Sequence, residues 1–271
     1  MVATKEELIT VFVVSIVGFS GALEACTWIL RSVLEYYPGL ALDKKHIPTL
    51  ITQGPSYITS MVHCILNSYR GIQQLYGLYH APTHVKLFFP PTPQEFEPYI
   101  RNVELSNAIF AAYLLFDLIH IVRLYPKLGG ADMVAHHLVF LICAIINGSY
   151  GILAYPFSWL IIGEISTLFL DIRWFLIKTG RGDTNFFQWM QYLFATSFFC
   201  TRVVIYSAGV LELFGQRSVL RDLVANGHVP GFFMGTTLLF IGAGCLLNLF
   251  WFQKIAAMAF STNNKKPKKE A

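Results

Sequence analysis

Charge is what this chain has least of. Only 13% of its 271 residues are Asp, Glu, Lys or Arg, while 55% are hydrophobic and the mean hydropathy is +0.52. A soluble domain carries about a quarter charged residues, so a water-soluble body is excluded and a membrane protein is indicated. Paired cysteine is missing as well. Cys26, Cys64, Cys143, Cys200 and Cys245 lie singly within apolar runs. Their odd number and the absence of C-x-x-C exclude a disulfide framework and a thiolate metal site, so they read as small buried hydrophobes. The net charge of +4 has no basic face or aromatic-basic groove beside it, which excludes a nucleic-acid partner. No inverted repeat or pair of broken helices supports a transporter.

What is present is a series of apolar stretches near the roughly 20 residues that cross a bilayer. They fall at about 8–30, 56–79, 103–124, 133–153, 157–177, 189–213 and 232–259. The fold class is therefore all-α, a polytopic transmembrane bundle of about seven spans. It divides into an N-terminal anchor helix and cytosolic loop (1–49), a transmembrane domain (50–260) and a basic cytosolic tail (261–271). The first stretch is long for a signal peptide, and its Lys5-Glu6-Glu7 start is not net positive, so it reads as a retained anchor. Glu24 within it needs an interface or a polar partner. The second span carries His63, Asn67, Arg70 and Gln73 at spacings near three and four, which predicts one inward polar stripe. The stretch Phe89-Pro90-Pro91-Thr92-Pro93 cannot continue a helix, and the hinge Ala154-Tyr155-Pro156 predicts an antiparallel pair of helices around it.

Lysine and arginine orient the bundle. The segments 31–48, 123–132, 178–188 and 254–271 hold twelve, and the opposite segments hold five. That asymmetry puts the C-terminus in the cytosol. The final Lys268-Lys269-Glu270-Ala271 has the form of a dilysine retrieval signal for the endoplasmic reticulum.

Ionisable groups in hydrocarbon are costly and mark function by default. His136 and His137 open the fourth span, pointing about 100° apart, so they can line one wide groove. Glu164, Thr167 and Asp171 form one stripe on the fifth span, flanked by Ser166. Asp117 and His120 share a face of the third span and are close enough to pair with each other. Asn147 lies deeper, where Gly148 and Gly151 permit close helix approach or a bend. Arg173, near a span end, is placed to snorkel to headgroups. Arg202 sits near mid-membrane and needs an acid, for which Glu164 and Asp171 are the choices. Three chemistries stay open on spacing alone. A histidine beside a carboxylate can act as base or nucleophile in acyl transfer. Metal ligation suits the pattern less, because adjacent histidines make poor joint ligands and the spans contain no H-x-x-H or H-x-x-x-H spacing. The groups can also satisfy one another as interhelical glue.

Asp117, the pair His136-His137, Asn147-Gly148, Glu164-Ile165-Ser166, Phe169 and Arg173-Trp174, followed by Asn248 to Lys254, resemble the TLC domain family. That family includes the translocon-associated TRAM protein, the ceramide synthases and small stand-alone TLC proteins, and the likeness is greatest to the last group. The resemblance covers about residues 50–260. It implies a multi-pass endoplasmic-reticulum protein of lipid homeostasis that binds, senses or modifies acyl lipids through a polar intramembrane cavity. On that reading His136, His137, Glu164 and Asp171 are the candidate catalytic or headgroup-orienting residues. Asp117, His120, Asn147, Ser166, Arg173 and Arg202 are candidates for substrate binding, and Phe140, Phe169 and Phe175 shape the hydrocarbon part. The expected partners are membrane lipids, with no metal and no cofactor. The ceramide synthases imply the alternative, an acyl-CoA-dependent N-acyltransferase using the histidine pair, in which acyl-CoA is the co-substrate. Against their pattern, Gly163 stands for a histidine, Thr167 for an aspartate and Trp174 for a lysine, so the acidic part is incomplete.

Overall fold

The computed structural model describes residues 2–37, 44–88 and 91–261. The basic tail with Lys268-Lys269, the 38–43 part of the first loop, and Phe89-Pro90 lie outside the described residues. Eleven α-helices follow in order: α1 (Lys5–Tyr36), α2 (Ile47–Leu78), α3 (Thr83–Leu87), α4 (Glu97–Arg123), α5 (Ala131–Tyr150), α6 (Ala154–Ile161), α7 (Ile165–Lys178), α8 (Asn185–Phe198), α9 (Tyr206–Gly215), α10 (Arg217–Ala225) and α11 (Gly231–Ser261). A 3₁₀ turn, Ile162–Glu164, joins α6 to α7, and a π-helical stretch, Phe199–Ile205, joins α8 to α9.

Five of the expected spans are helices long and apolar enough to cross a bilayer: α1, α4, α5, the continuous rod from α8 through α9, and α11. The other two are helical but atypical. The 32-residue α2 carries buried His63, Asn67, Ser68 and Gln74, and the fifth span is interrupted at Ile162–Glu164. These two elements pack on each other, so the most polar helix and the broken one share the interior. Elsewhere large apolar side chains face outward, such as Val17 at 65% exposed on α1 and Leu246 at 70% on α11. That inversion suits a lipid surround.

Helix contacts run α2–α4–α5–α11–α8–α7 and back to α2, so six rods close a ring. α1 packs outside that ring on α2 and α4, started by the Thr4 hydroxyl accepting from the Glu7 amide at 3.1 Å. Glu24 of α1 is exposed and lies within electrostatic range of His120 of α4. Helices α5 and α6 remain antiparallel but do not pack as neighbours. They are joined by a short turn in which Gly151 (φ 60°) caps α5 and Leu153 is also left-handed (φ 58°). The reversal thus precedes Ala154-Tyr155-Pro156, which forms the first turn of α6. Leu153 pays a backbone cost there, offset by full burial and by its amide donating to the Leu87 carbonyl at 2.8 Å. The expected neighbours instead stand opposite each other across the centre of the ring.

That turn seals one end. Leu87 and Val85 of α3, Ile152, Leu153, Val229, and Leu220 and Leu223 of the amphipathic α10 belong to one buried apolar cluster. Lys86 closes its rim by pairing with Glu212 at 3.3 Å and lying 4.4 Å over the Tyr155 ring. On the same face the Glu104 carboxylate accepts from the Val2 and Ala3 amides at 2.6–3.0 Å. The α4–α5 and α7–α8 loops lie at the opposite end, the C-terminal face.

The polar stripe of α2 is corrected at one position. His63 and Asn67 are buried as expected and Arg70 is half-buried, but Gln73 is exposed and Gln74 is buried instead. Eleven residues are just over three full turns, which returns position 74 to the face of position 63, whereas ten residues miss it by about 80°. Gln74 donates to Ser106 at 2.8 Å on α4.

Candidate functional site

The ring encloses a cavity of about 490 Å³, lined mostly by apolar side chains and by a compact polar group. Its walls include His63 of α2, Asp117 of α4, His136, His137 and Asn147 of α5, Glu164 of the 3₁₀ turn, Ser166 and Asp171 of α7, and Arg202. Residues that the sequence scatters over six elements meet in one space.

The histidines differ in kind. His137 is buried, with Nε2 at 2.8 Å from Asp117 Oδ2 and Nδ1 at 2.9 Å from the Met133 carbonyl. A carbonyl can only accept, so Nδ1 donates. The remaining nitrogen faces a carboxylate, which makes the contact an ion pair with the ring donating from both nitrogens. His136 has no hydrogen-bond partner among the described residues. Its ring lines the cavity, 4.7 Å from Phe140 and 6.1 Å from Trp251 of α11. Adjacency on one helix thus gives one histidine that is committed and one that is free. Asp117 pairs across to α5 and not with His120 on its own helix. His120 stacks on Phe116, faces α1, and does not line the cavity.

Arg202 finds its acid in Glu164, at 3.1 Å, and not in Asp171. Two irregularities bring them together: Arg202 lies inside the π-helical stretch and Glu164 in the 3₁₀ turn. The absence of a side chain at Gly163 lets the guanidinium lie flat on the backbone; a Cβ there would sit 3.3 Å from Arg202 Cγ. Arg202 Nε donates to the Gly163 carbonyl and to Ser166 Oγ, each at 3.0 Å, and Nη2 also reaches Thr167 Oγ1 at 3.3 Å. π-helical turns recur at functional positions. The two ion pairs stand close enough for His137 to feel Glu164 and His136 to feel Arg202.

Asp171 lines the wall with only 3% exposure, and its Oδ2 has no partner among the described residues. Asn147 borders the cavity near the sealed end. Gly148 beside it permits the close approach of α4, because a Cβ there would lie 2.9 Å from Asn107 Nδ2, which donates to the Ala144 carbonyl at 2.8 Å. Arg173 does not reach headgroups. It is buried against the rings of Phe187 and Phe194 on α8, 5.5 and 5.2 Å away, outside the cavity lining. Phe140 lines the cavity, whereas Phe169 and Phe175 pack in separate clusters between helices. Sequence reasoning missed Ser60, Tyr113, Trp251 and Lys254, all of which line the space. Tyr113 stacks on His63 at 3.5 Å. A signal for it existed, since Tyr113 precedes Asp117 by one helical turn. Among the described residues, no three His, Cys, Asp or Glu side chains gather as a metal-holding group.

A family model described as the TLC domain matches residues 55–257. The chain belongs to the TLC domain family. The match begins within α2 and leaves out α1, the helix outside the ring. Among similar curated proteins, TLC domain-containing protein 4 of Xenopus tropicalis is 28% identical over 169 residues, 61% of this chain and 62% of that protein. TLC domain-containing protein 4-A of Xenopus laevis is 28% identical over 169 residues, 61% of this chain and 63% of its own. The chain therefore spans about three fifths of the length of the relatives it matches. These relatives are stand-alone TLC proteins, as the sequence resemblance implied.

Proposed function

We propose that this protein is a multi-pass endoplasmic-reticulum membrane protein of lipid homeostasis, with a cytosolic C-terminus, that holds an acyl lipid inside its helix ring. The observation that carries the reading is the cavity itself. At about 490 Å³ it falls within the roughly 300–1,000 Å³ of small-molecule sites. Apolar walls suit a hydrocarbon chain, and the charged cluster fixes a headgroup by direction as well as by attraction. Asp117 and His137 lie six residues from the ends of their helices on the C-terminal face, about 9 Å deep. A headgroup entering from that side meets them first.

Acyl transfer is the second reading, favoured by one observation: the unpartnered imidazole of His136 facing the cavity. A free ring nitrogen can take a proton from an acceptor or carry an acyl group. Among the described residues no carboxylate steadies that ring, because Asp117 is spent on His137. Binding is therefore the primary reading and catalysis the secondary one.

Mass spectrometry of lipids retained by the purified protein tests the first. Near-stoichiometric acyl lipid is expected, and a protein that retains none would overturn the proposal. For the second, acyl-CoA and amine acceptors are supplied to wild type and His136→Ala. Product formed by wild type and lost in the variant would promote catalysis to the primary reading.

A further inference from the structure

The two ion pairs of the cavity are each half used on the ligand side, and with opposite sign. Asp117 gives Oδ2 to His137, and its Oδ1 has no donor among the described residues. Arg202 spends Nε and Nη2 on four acceptors, and its Nη1 has none. Neither atom is buried without access, and both residues line the cavity. Beside the unpartnered Oδ2 of Asp171, the two ion pairs thus present one unspent anionic acceptor and one unspent cationic donor. A ligand of a single charge would satisfy one and be repelled by the other.

The two are also ordered in depth. Asp117 is six residues from the end of α4 on the C-terminal face, whereas Glu164, which holds Arg202, is separated from that face by the 14 residues of α7. That places the acceptor nearer the mouth and the guanidinium further in, with Phe157, Leu160 and Tyr206 among the lining. We propose that the cavity takes one chain of a zwitterionic phospholipid, its ammonium group on Asp117 and its phosphate on Arg202, with the hydrocarbon towards the sealed end. The proposal rests on the acyl-lipid reading above and adds the headgroup. The source is either a single-chain lysophospholipid or a two-chain lipid whose second chain stays in the bilayer, and the chemistry recognised is the same.

The test measures binding to the purified full chain in uncharged detergent micelles. The probes share one oleoyl chain: lysophosphatidylethanolamine, lysophosphatidate, monooleoylglycerol and oleylamine, with dioleoylphosphatidylethanolamine as the two-chain comparison. The zwitterionic probes are expected to bind about tenfold more tightly than each of the others, in line with a charged hydrogen bond at either end. Whichever of the two zwitterions binds better identifies the source. Asp117→Asn should move the preference towards lysophosphatidate, and Arg202→Gln towards oleylamine. Equal binding of all the oleoyl probes would overturn the headgroup assignment while leaving the acyl-lipid reading intact. Failure of every probe to bind would count against both. Should either variant not accumulate, the wild-type ranking alone decides.

Discussion

The two adjacent histidines should separate cleanly in a stability experiment. His137 holds two hydrogen bonds, one of them charged, to Asp117 at 2.8 Å and to the Met133 carbonyl at 2.9 Å. His136 holds none among the described residues and touches only rings. Removing His137 leaves the Asp117 carboxylate, 15% exposed, without its counter-charge. Breaking a buried pair in this way costs about 3–5 kcal/mol, and this partly wet pair belongs at the low end. Asp117→Asn is milder, because the carboxamide can donate to Nε2 of a neutral ring. The charged bond then becomes a neutral one, at a cost of about 1 kcal/mol. His136→Ala loses ring contacts alone, for which we expect about 1 kcal/mol or less. The assay is denaturant unfolding in mixed micelles, with Asp117→Ala and His137→Ala completing a double-mutant cycle. The coupling should be about 2 kcal/mol, well above the roughly 0.6 kcal/mol average for hydrogen bonds between membrane helices. If His136→Ala destabilises as much as His137→Ala, or if the cycle shows no coupling, the assignment of one committed and one free histidine is wrong.

Further outcomes follow from packing and from the termini. Gly209→Ala should cost about 1–3 kcal/mol, since a Cβ would lie 2.4 Å from the buried Trp159 indole; Gly21→Ala, with nothing within 4 Å, serves as control and should be neutral or slightly stabilising in the same assay. Gly148→Ala should displace Asn107 from the Ala144 carbonyl and cost about 1 kcal/mol, unless Asn107→Ala has been introduced first, when most of the effect should vanish. Deleting α1 should leave the ring closed, and retention of lipid by the truncated chain checks this; loss of the bound lipid would show that α1 is part of the container. Lys268→Ser with Lys269→Ser should redistribute a tagged protein out of the endoplasmic reticulum, and an unchanged distribution by microscopy would reject the retrieval signal.

The helical architecture was legible because it depends on local patterning. Apolar stretches of membrane length are properties of neighbouring residues, and only the reversal after α5 shifted, from Ala154-Tyr155-Pro156 to the left-handed Gly151 and Leu153 before it. The participants at the site were legible for a related reason: a charged group in hydrocarbon stands out wherever it lies. Their pairing was not. Asp117 is three residues from His120, and sequence spacing favoured that partner, yet the ring rotates α4 so that Asp117 faces α5 and His120 faces α1. Arg202 had two acids to choose from, and the choice of Glu164 depends on a 3₁₀ turn and a π-helical stretch meeting, both tertiary compromises without a local signal. Arg173 failed differently. Its position near a helix end suggested snorkelling, but which side of the helix it leaves from is fixed by α8, and there it meets aromatic rings.

The sealed end carries a further consequence. A bundle whose interior holds Asp, Glu, Arg and His would, if open at both ends, offer protons and ions a wet path across the bilayer. Leu87, Ile152, Leu153 and Val229, each at most 3% exposed, interrupt that path with hydrocarbon. The polar chamber thus has hydrocarbon between it and that face, the arrangement that keeps buried charge from conducting. Loosening this stopper, for instance at Leu153 with its left-handed backbone, would be felt first as membrane leak.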